Sequence, residues 1–234
     1  MRLNWPTVTG CIALSLACGT AFTRSSALLA ERAVATPAPE QATEESRDTQ
    51  TAIFAGGCFW GVQGVYQHVR GVRSAVAGYA GGQAGNARYQ LVGTGRTGHA
   101  EAVRITYDPR KVSYGTLLRI FFSVVADPTT LNAQGPDHGP QYRTAIFPTT
   151  PAQRETATRY IAQLEKAHVW KAPIVTRIET GRFFPAEAYH QDFMVRQPDH
   201  PYIRFNDLPK LAAFKQIFPD QYRSRPALVS AVAE

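Results

Sequence analysis

The chain has 234 residues, enough for one ordinary globular domain with terminal extensions but not for two full domains. Hydrophobic residues make up 44% of it and charged residues 18%, which excludes wholesale disorder because such a chain can form an apolar core. The net charge of +7 comes from scattered lysine and arginine residues without a basic run, so we expect no nucleic-acid partner.

The chain begins with the layout of a secretory signal peptide. Met1-Arg2 gives a positive start, and the apolar stretch over residues 9–22 is short for a membrane span. We therefore predict a signal peptide over residues 1–27, with a cleavage site between 21 and 35, and export to the periplasm or out of the cell. The alternatives are an uncleaved interfacial anchor, a disordered leader and a membrane lipoprotein, although Ser15 stands where a lipoprotein cleavage site usually has a large aliphatic residue.

A linker and a tail are predicted on either side of one domain. Large apolar side chains are almost absent between residues 36 and 50, so residues 28–50 are predicted to form a disordered linker. The domain is predicted over residues 51–222, and residues 223–234 are predicted to form a flexible tail.

Strands and helices alternate along the predicted domain. A strand at 51–55 leads through two glycines to Cys58 and a helix, since apolar residues recur there at helical spacing. The following predicted elements are a strand at 74–79, a loop at 83–99, a strand at 100–107, a helix at 113–125, a strand at 143–147, a helix at 151–168 and a strand at 174–179, with loops and short helices beyond. This alternation predicts a single α/β or α+β two-layer domain.

Cys58 is the first candidate for chemistry. Cys11 and Cys18 lie in the predicted leader, so a mature soluble form would keep one cysteine and no internal disulfide. Unsatisfied backbone N–H groups and the positive end of the helix dipole at a helix start lower the pKa of a thiol. The alternative is a buried structural cysteine. Gly56 and Gly57 favour the reactive interpretation, because they let a substrate approach closely.

Glu101 is the second candidate. In the alternating strand it shares one face with Val103, Ile105 and Tyr107. A carboxyl group in line with apolar neighbours is desolvated, which raises its pKa and lets it act as a general acid. The alternative is a carboxylate at the strand end that faces water.

Other groups of residues in the sequence give weaker evidence of a functional site. Glu187-x-x-His190 has the spacing of a di-iron ligand pair but lacks a second copy, and the histidines lack zinc spacing, so no metal site is predicted. A Cys-His hydrolase stays open, with the candidate bases being His99, His138 and His190. Aromatic residues near these positions could line a site or belong to the core.

Five motifs in order resemble one family. They are Gly57-Cys58-Phe59-Trp60-Gly61, Gly78-Tyr79-x-Gly81-Gly82, Gly98-His99-x-Glu101-Ala102-Val103, Asp137-His138-Gly139-x-Gln141-Tyr142-Arg143 and Ala186-Glu187-x-Tyr189-His190-Gln191. Together they resemble peptide-methionine (S)-S-oxide reductase, the A-type methionine sulfoxide reductases, from about residue 52 to residue 190.

The resemblance implies a fold and a set of roles. The implied fold is a mixed α/β plait with a central sheet flanked by helices, and no metal or organic cofactor is needed. Cys58 would attack the sulfur of an S-configured methionine sulfoxide while Glu101 protonates its oxygen. The implied substrate-binding residues are Phe59 and Trp60 around the methyl group, Tyr79 and Tyr142 at the oxygen, and Asp137 lining the same site. Cys58 would become a sulfenic acid.

One departure from the family pattern concerns recycling. Many members carry resolving cysteines near the C-terminus, and no cysteine follows Cys58 in this chain. An external thiol must therefore reduce Cys58, from a thioredoxin-like protein or from glutathione and glutaredoxin. We expect a monomeric enzyme. The alternative is a non-catalytic module that binds methionine or oxidised-methionine peptides.

Overall fold

A six-stranded sheet forms the centre of the computed structural model, which describes residues 33–41 and 46–229. The predicted signal peptide, residues 1–27, lies outside the described residues. The strands are β1 (Gln50–Gly56), β2 (Val72–Ala80), β3 (Ala100–Tyr107), the short hairpin of β4 (Ala133–Gln134) and β5 (Asp137–His138), β6 (Thr144–Ile146), β7 (Arg177–Ile178) and β8 (Phe183–Pro185).

The sheet is mixed, as the family resemblance implies. Its strand order is β7-β6-β1-β3-β2-β8, with β6 and β7 parallel and every other pair antiparallel. The central strand β3 pairs with β1 on one side and β2 on the other, and its register sets Glu101 opposite Tyr79. Residues directly opposite each other project from the same face of a sheet, so both side chains point to one layer.

Helices cover this sheet and close its core. They are α1 (Phe59–Gln67), α2 (Tyr89–Val92), α3 (Tyr114–Ile120) with a π-helical turn at Phe121–Val125, α4 (Pro151–Lys166), α5 (Phe193–Arg196), a second π-helical turn at Ile203–Asp207, and α6 (Leu208–Ile217). Within the described part of the chain, no helix has the length and apolar character needed to cross a membrane. The ring of Phe54 packs against the rings of Tyr66, Tyr114 and Phe121, which joins β1 to the helical layer.

Capping side chains stabilise the starts of two predicted helices. Ser113 accepts a hydrogen bond from the Thr116 N–H, and Thr150 accepts one from the Gln153 N–H, so both helices begin where the sequence predicts. The strand predicted at 174–179 is confined to β7, because Val175 N–H bonds to the loop carbonyl of Pro128 instead of the sheet.

The predicted linker is wrong for residues 33–41, which lie against α3 and α4. Thr36 is 1% exposed, and its hydroxyl lies 2.7 Å from Ser123 Oγ and 2.9 Å from Tyr160 Oη. Its carbonyl accepts a hydrogen bond of 2.8 Å from Arg119 Nε. Residues 33–41 consist mostly of alanine and proline, and the buried hydrogen bonds of Thr36 fix this segment against the helices.

The predicted flexible tail is also wrong as far as residue 229. Arg223 donates from Nη2 to the Val72 carbonyl and from Nε to the Gln67 carbonyl, at 2.9 and 3.0 Å. Val229 N–H donates to Asp192 Oδ1 at 3.0 Å. The tail therefore joins α1 and β2 to the segment that follows β8.

We predict that Thr36→Val lowers the free energy of unfolding by about 1–3 kcal/mol, because it removes two buried hydrogen bonds, to Ser123 Oγ and to Tyr160 Oη, each of which contributes about 0.5–1.5 kcal/mol. Urea denaturation followed by circular dichroism measures this loss. Thr158→Val on the exposed side of α4 is the matched control and should change stability by no more than about 0.5 kcal/mol. Equal stability of the two variants would show that residues 33–41 do not contribute to the fold.

Candidate active site

Cys58 lies in the turn between β1 and α1. Gly57 adopts a φ of +87°, which side chains rarely tolerate, and a Cβ there would stand 2.6 Å from the Cβ of Gln134. This glycine thus brings the thiol against the loop that follows the first π-helical turn. Cys58 is partly exposed and lines a small cavity together with Gln134, Gly135, Pro136, Tyr202, Asn206 and Lys210.

The thiol is less acidic than the sequence predicts. Burial raises the pKa of Cys58 well above its usual value, and the negative charges of Glu101 and Asp207 raise it further. The backbone N–H of Trp60 lowers the pKa but does not outweigh these effects. The expectation of a lowered thiol pKa is therefore wrong for the substrate-free protein, because burial of the thiol and then the nearby carboxyl groups outweigh the effect of the helix start.

Glu101 has the environment that the sequence predicts. Its side chain is 2% exposed, and Val103, Ile105 and Tyr107 on the same face are buried. Burial raises the pKa of Glu101 to about 8, although the Phe59 N–H donates a hydrogen bond of 3.0 Å to its Oε2. The raised pKa is confirmed, and at neutral pH the carboxyl group is mostly protonated beside the backbone N–H of the residue that follows Cys58.

Phe59 and Trp60 form an apolar wall beside the thiol. Phe59 is 1% exposed, and its ring lies 5.8 Å from that of Tyr79. Trp60 is partly exposed and stacks on Phe193, with ring centroids 3.8 Å apart and planes within 9°. The indole Nε1 donates to His190 Nδ1 at 3.2 Å, which fixes the ring in its plane.

The predicted oxygen-binding hydroxyls differ in their partners. The Tyr79 hydroxyl donates to Glu187 Oε2 at 2.8 Å. Burial raises the pKa of Tyr79, and this hydrogen bond raises it further. Tyr142 is partly exposed at the end of the loop after β5, and burial and the negative charge of Glu101 raise the pKa of Tyr142. Both phenols thus remain protonated donors at neutral pH.

Asp137 belongs to the same region. It accepts a short hydrogen bond from the Tyr202 hydroxyl. Burial raises the pKa of Asp137, while the bond from Tyr202 and the positive charge of Lys210 act in the opposite direction.

Of the six other predicted residues, three interact electrostatically with the thiol: Glu101, Asp137 and Tyr142. Phe59 and Trp60 follow Cys58 directly in the chain. Tyr79 contacts the Phe59 ring and is already bonded to Glu187.

Known proteins are similar to this chain over most of the described domain. The family model described as peptide methionine sulfoxide reductase matches residues 50–222. The chain is 61% identical to the peptide methionine sulfoxide reductase MsrA 2 of Mesorhizobium japonicum over 182 residues, covering 77% of this chain and 93% of that protein. It is 46% identical to MsrA of Deinococcus radiodurans over 184 residues, 78% of this chain and 89% of the relative. The chain belongs to the peptide methionine sulfoxide reductase family.

Solved structures support the same assignment. Reduced Mxr1 from Saccharomyces cerevisiae aligns with a TM-score of 0.58 at 30% identity, covering 69% of this chain and 92% of that one. Methionine sulfoxide reductase A of Corynebacterium diphtheriae aligns with a TM-score of 0.55 at 29% identity, covering 72% and 88%. The resemblance inferred from the five motifs, and the mixed sheet with flanking helices that it implies, are confirmed.

Within this reductase domain, the sequence did not predict the functions of three residues that orient the site. Glu187 and His190 do not pair as metal ligands: Glu187 accepts from Tyr79 and from the Tyr89 N–H, and His190 accepts from Trp60. In the sequence, the Glu-x-x-His spacing suggests a metal pair and His190 a hydrolase base, and neither feature predicts that these residues hold Tyr79 and Trp60. No sequence pattern around Tyr202 predicts a role at the site, because this residue reaches the cavity beside Cys58 from a segment that is distant in the sequence.

The site of this reductase can perform acid-assisted attack by a thiol. It combines a nucleophilic sulfur, a carboxyl group that is protonated at neutral pH, and an apolar wall beside both. Within the described residues, no three His, Cys, Asp or Glu side chains converge in a way that could hold a metal ion.

Proposed function

We propose that this chain reduces S-configured methionine sulfoxide in proteins or peptides to methionine, with Cys58 as the nucleophile and Glu101 as the proton donor. The observation that carries the proposal is the pairing of the two groups at one helix start. The carboxyl group of Glu101 is protonated near neutrality, and it is held by the N–H of the residue that follows Cys58. A sulfoxide sulfur becomes a good electrophile only when its oxygen accepts a proton or a strong hydrogen bond.

The proposed first step conserves protons. Cys58 sulfur forms a bond to the sulfoxide sulfur and loses its proton, while Glu101 gives a proton to the sulfoxide oxygen. The oxygen then moves to Cys58 as the bond between the two sulfurs breaks, which leaves methionine and a sulfenic acid on Cys58. The thiol proton restores Glu101, so the reaction converts R–SH and R′₂SO into R–SOH and R′₂S without a net proton.

We assign the remaining predicted residues to substrate binding. Phe59 and Trp60 supply the apolar surface for the substrate methyl group, in keeping with their stacked and buried rings. Tyr142 is suited to donate a hydrogen bond to the sulfoxide oxygen, since its raised pKa keeps the phenol protonated. Tyr79 would do so only by exchanging its bond to Glu187, and Asp137 holds Tyr202 beside the thiol.

Recycling requires two external thiols. The first attacks the sulfenic sulfur of Cys58, which releases water and leaves a mixed disulfide, and the second resolves it to the free thiol and an external disulfide. A thioredoxin-like protein fits this need, and glutathione with glutaredoxin is the other candidate.

We also propose that the leader directs export of the protein, with soluble export ahead of lipid anchoring. We propose a monomer, because one chain supplies every residue of the site.

Stereospecific turnover tests the proposed function. With dithiothreitol, the full chain should reduce the S epimer of a methionine sulfoxide peptide at least about 100-fold faster than the R epimer, because only one epimer can present its oxygen to Glu101 and its methyl group to Trp60 together. Chromatographic separation of the two epimers measures this ratio. Equal rates would overturn the proposal, and binding without methionine release would identify a binding module instead.

A further inference from the structure

One guanidinium group joins three segments of the chain beside the site. Arg143 follows Tyr142 directly and is 8% exposed. Its Nη1 donates to the Pro140 carbonyl at 2.8 Å, and its Nη2 donates to the Gly98 carbonyl at 3.0 Å. The carboxylate of Glu179, directly after β7, accepts from Nε and from Nη2, both at 2.8 Å. Arg143 therefore ties the loop of Tyr142 to the segment that enters β3 and to the edge of the sheet.

These bonds depend on the planar shape of the arginine side chain. The ion pair with Glu179 is bidentate, and such a pair fixes the plane of the guanidinium as well as its position. Glu179 is itself held in place, because its N–H donates to the Ile146 carbonyl at 2.9 Å. A lysine would carry the same charge on a single nitrogen, which cannot reach the carboxylate and both carbonyls together.

Tyr142 lies in a part of the chain that has little regular structure to hold it. It ends the single 3₁₀ turn Pro140–Tyr142, which lies between β5 and β6 and outside the six-stranded sheet. Its N–H donates to the Gly139 carbonyl at 3.0 Å, and the Arg143 N–H reaches the Pro140 carbonyl only at 3.4 Å. A 3₁₀ turn of this length has poor hydrogen-bond geometry, so its position depends on side chains that bind it.

Glu101 has supports that do not involve Arg143. Its strand, β3, is paired along both edges, and its carboxyl group accepts the Phe59 N–H bond of 3.0 Å. The Gly98 carbonyl lies two residues before this strand, where the paired sheet fixes the chain. Through the bond to Gly98, Arg143 thus sets the loop of Tyr142 relative to the strand that carries Glu101.

We propose that Arg143 is a positioning residue that holds the Tyr142 hydroxyl where it can bind the sulfoxide oxygen, with Glu179 orienting the guanidinium. This role rests on the proposed function, because it concerns the hydrogen bond that Tyr142 donates in that reaction. Negative charge develops on the oxygen as Cys58 attacks the sulfur, so a donor there acts more strongly in the transition state than in the bound substrate. Displacement of the hydroxyl by about 1 Å should therefore lower the rate of attack more than the affinity for substrate.

A double-mutant cycle on the full chain tests this role. Single-turnover methionine release is measured by rapid quench at several concentrations of an S-sulfoxide peptide, which separates the limiting rate from the half-saturating concentration. Arg143→Lys should lower the limiting rate by about 10- to 100-fold. The half-saturating concentration should change by less than about threefold, since Phe59 and Trp60 keep their places. In a Tyr142→Phe background the same substitution should change the rate by less than about threefold, because the hydroxyl that Arg143 positions is absent.

Arg177→Lys is the matched control, because it makes the same chemical change at an exposed position two residues before Glu179, and its rate should stay within about twofold of the wild type. Equal losses from Arg143→Lys in the two backgrounds would show a general effect on the fold and overturn the proposal, as would a rate equal to that of Arg177→Lys.

A second variant covers the case in which Arg143→Lys does not fold. Glu179→Gln keeps an acceptor for the guanidinium but removes the charge that orients it, so the same cycle should show a loss of about three- to tenfold that disappears in the Tyr142→Phe background. Equal losses in both backgrounds would again overturn the proposal. A wild-type chain that releases no methionine would contradict the proposed function and this role with it, whereas an active wild type with equal losses contradicts the role of Arg143 alone.

Discussion

Replacing Cys58 by serine is expected to lower methionine sulfoxide turnover by about 10⁴-fold or more, because a hydroxyl is a far weaker nucleophile than sulfur and cannot accept the oxygen in a reducible form. No other cysteine lies in the described residues, so nothing near the site can replace it. The substitution is nearly isosteric, and substrate affinity should change little.

Three measurements separate chemistry from folding and binding. Steady-state reduction with dithiothreitol reports turnover, calorimetric titration with the S-sulfoxide peptide reports binding, and thermal denaturation reports the fold. A single turnover of the wild-type chain without reductant should release one methionine per enzyme and add one oxygen to the Cys58 peptide. An active serine variant, or oxygen found on Cys11 or Cys18 rather than Cys58, would contradict the assignment of the nucleophile.

The position of the thiol and the state of Glu101 could both be predicted from the sequence because each depends on local periodicity. Two glycines between a short apolar strand and a helical repeat fix the turn that carries Cys58. Alternation along β3 puts Glu101 on a buried face, and burial dominates its raised pKa. Side-chain periods of two and of about 3.6 residues are intrinsic to strand and helix, so no distant partner is needed for either inference.

The state of the thiol could not be predicted in the same way. The helix start lowers the pKa of a cysteine by a local effect, and this effect is present through the Trp60 N–H. It is outweighed by burial of the thiol and then by the charges of Glu101 and Asp207, which come from elements far along the chain. Sequence spacing carries no information on the approach of Asp207, apart from the glycine at 61, where a Cβ would stand 2.2 Å from Asp207 Oδ1.

Amino-acid composition gave a wrong prediction of disorder at both ends of the domain. Residues 33–41 and 223–229 have few large apolar side chains, which is typical of disorder. Thr36 and Arg223 nevertheless bind partners on elements that are distant in sequence. Hydrogen bonds of this kind depend on the finished fold and leave no periodic pattern.

Replacing Glu101 by glutamine is expected to lower the rate of methionine formation by about 10²–10⁴-fold, the usual contribution of a general acid. Glutamine keeps the shape of the side chain and can still accept the Phe59 N–H bond, so α1 should keep its place. In the wild-type protein, activity should fall as the pH rises through about 8, because the acid form of Glu101 is lost there. The variant should lack this decline, and its residual rate should rise with pH as Cys58 ionises.

Single-turnover methionine release, measured by rapid quench from pH 6 to pH 9.5, tests this prediction without interference from the ionisation of a reductant. Glu165→Gln on the exposed side of α4 makes the same chemical change and should retain the full rate and the decline near pH 8. A Glu101→Gln variant that keeps the decline would assign that ionisation to another group. The remaining carboxyl group with a raised pKa beside the thiol is Asp137, and Asp137→Asn would then be the variant to titrate, since its bond to Tyr202 would persist with either side chain.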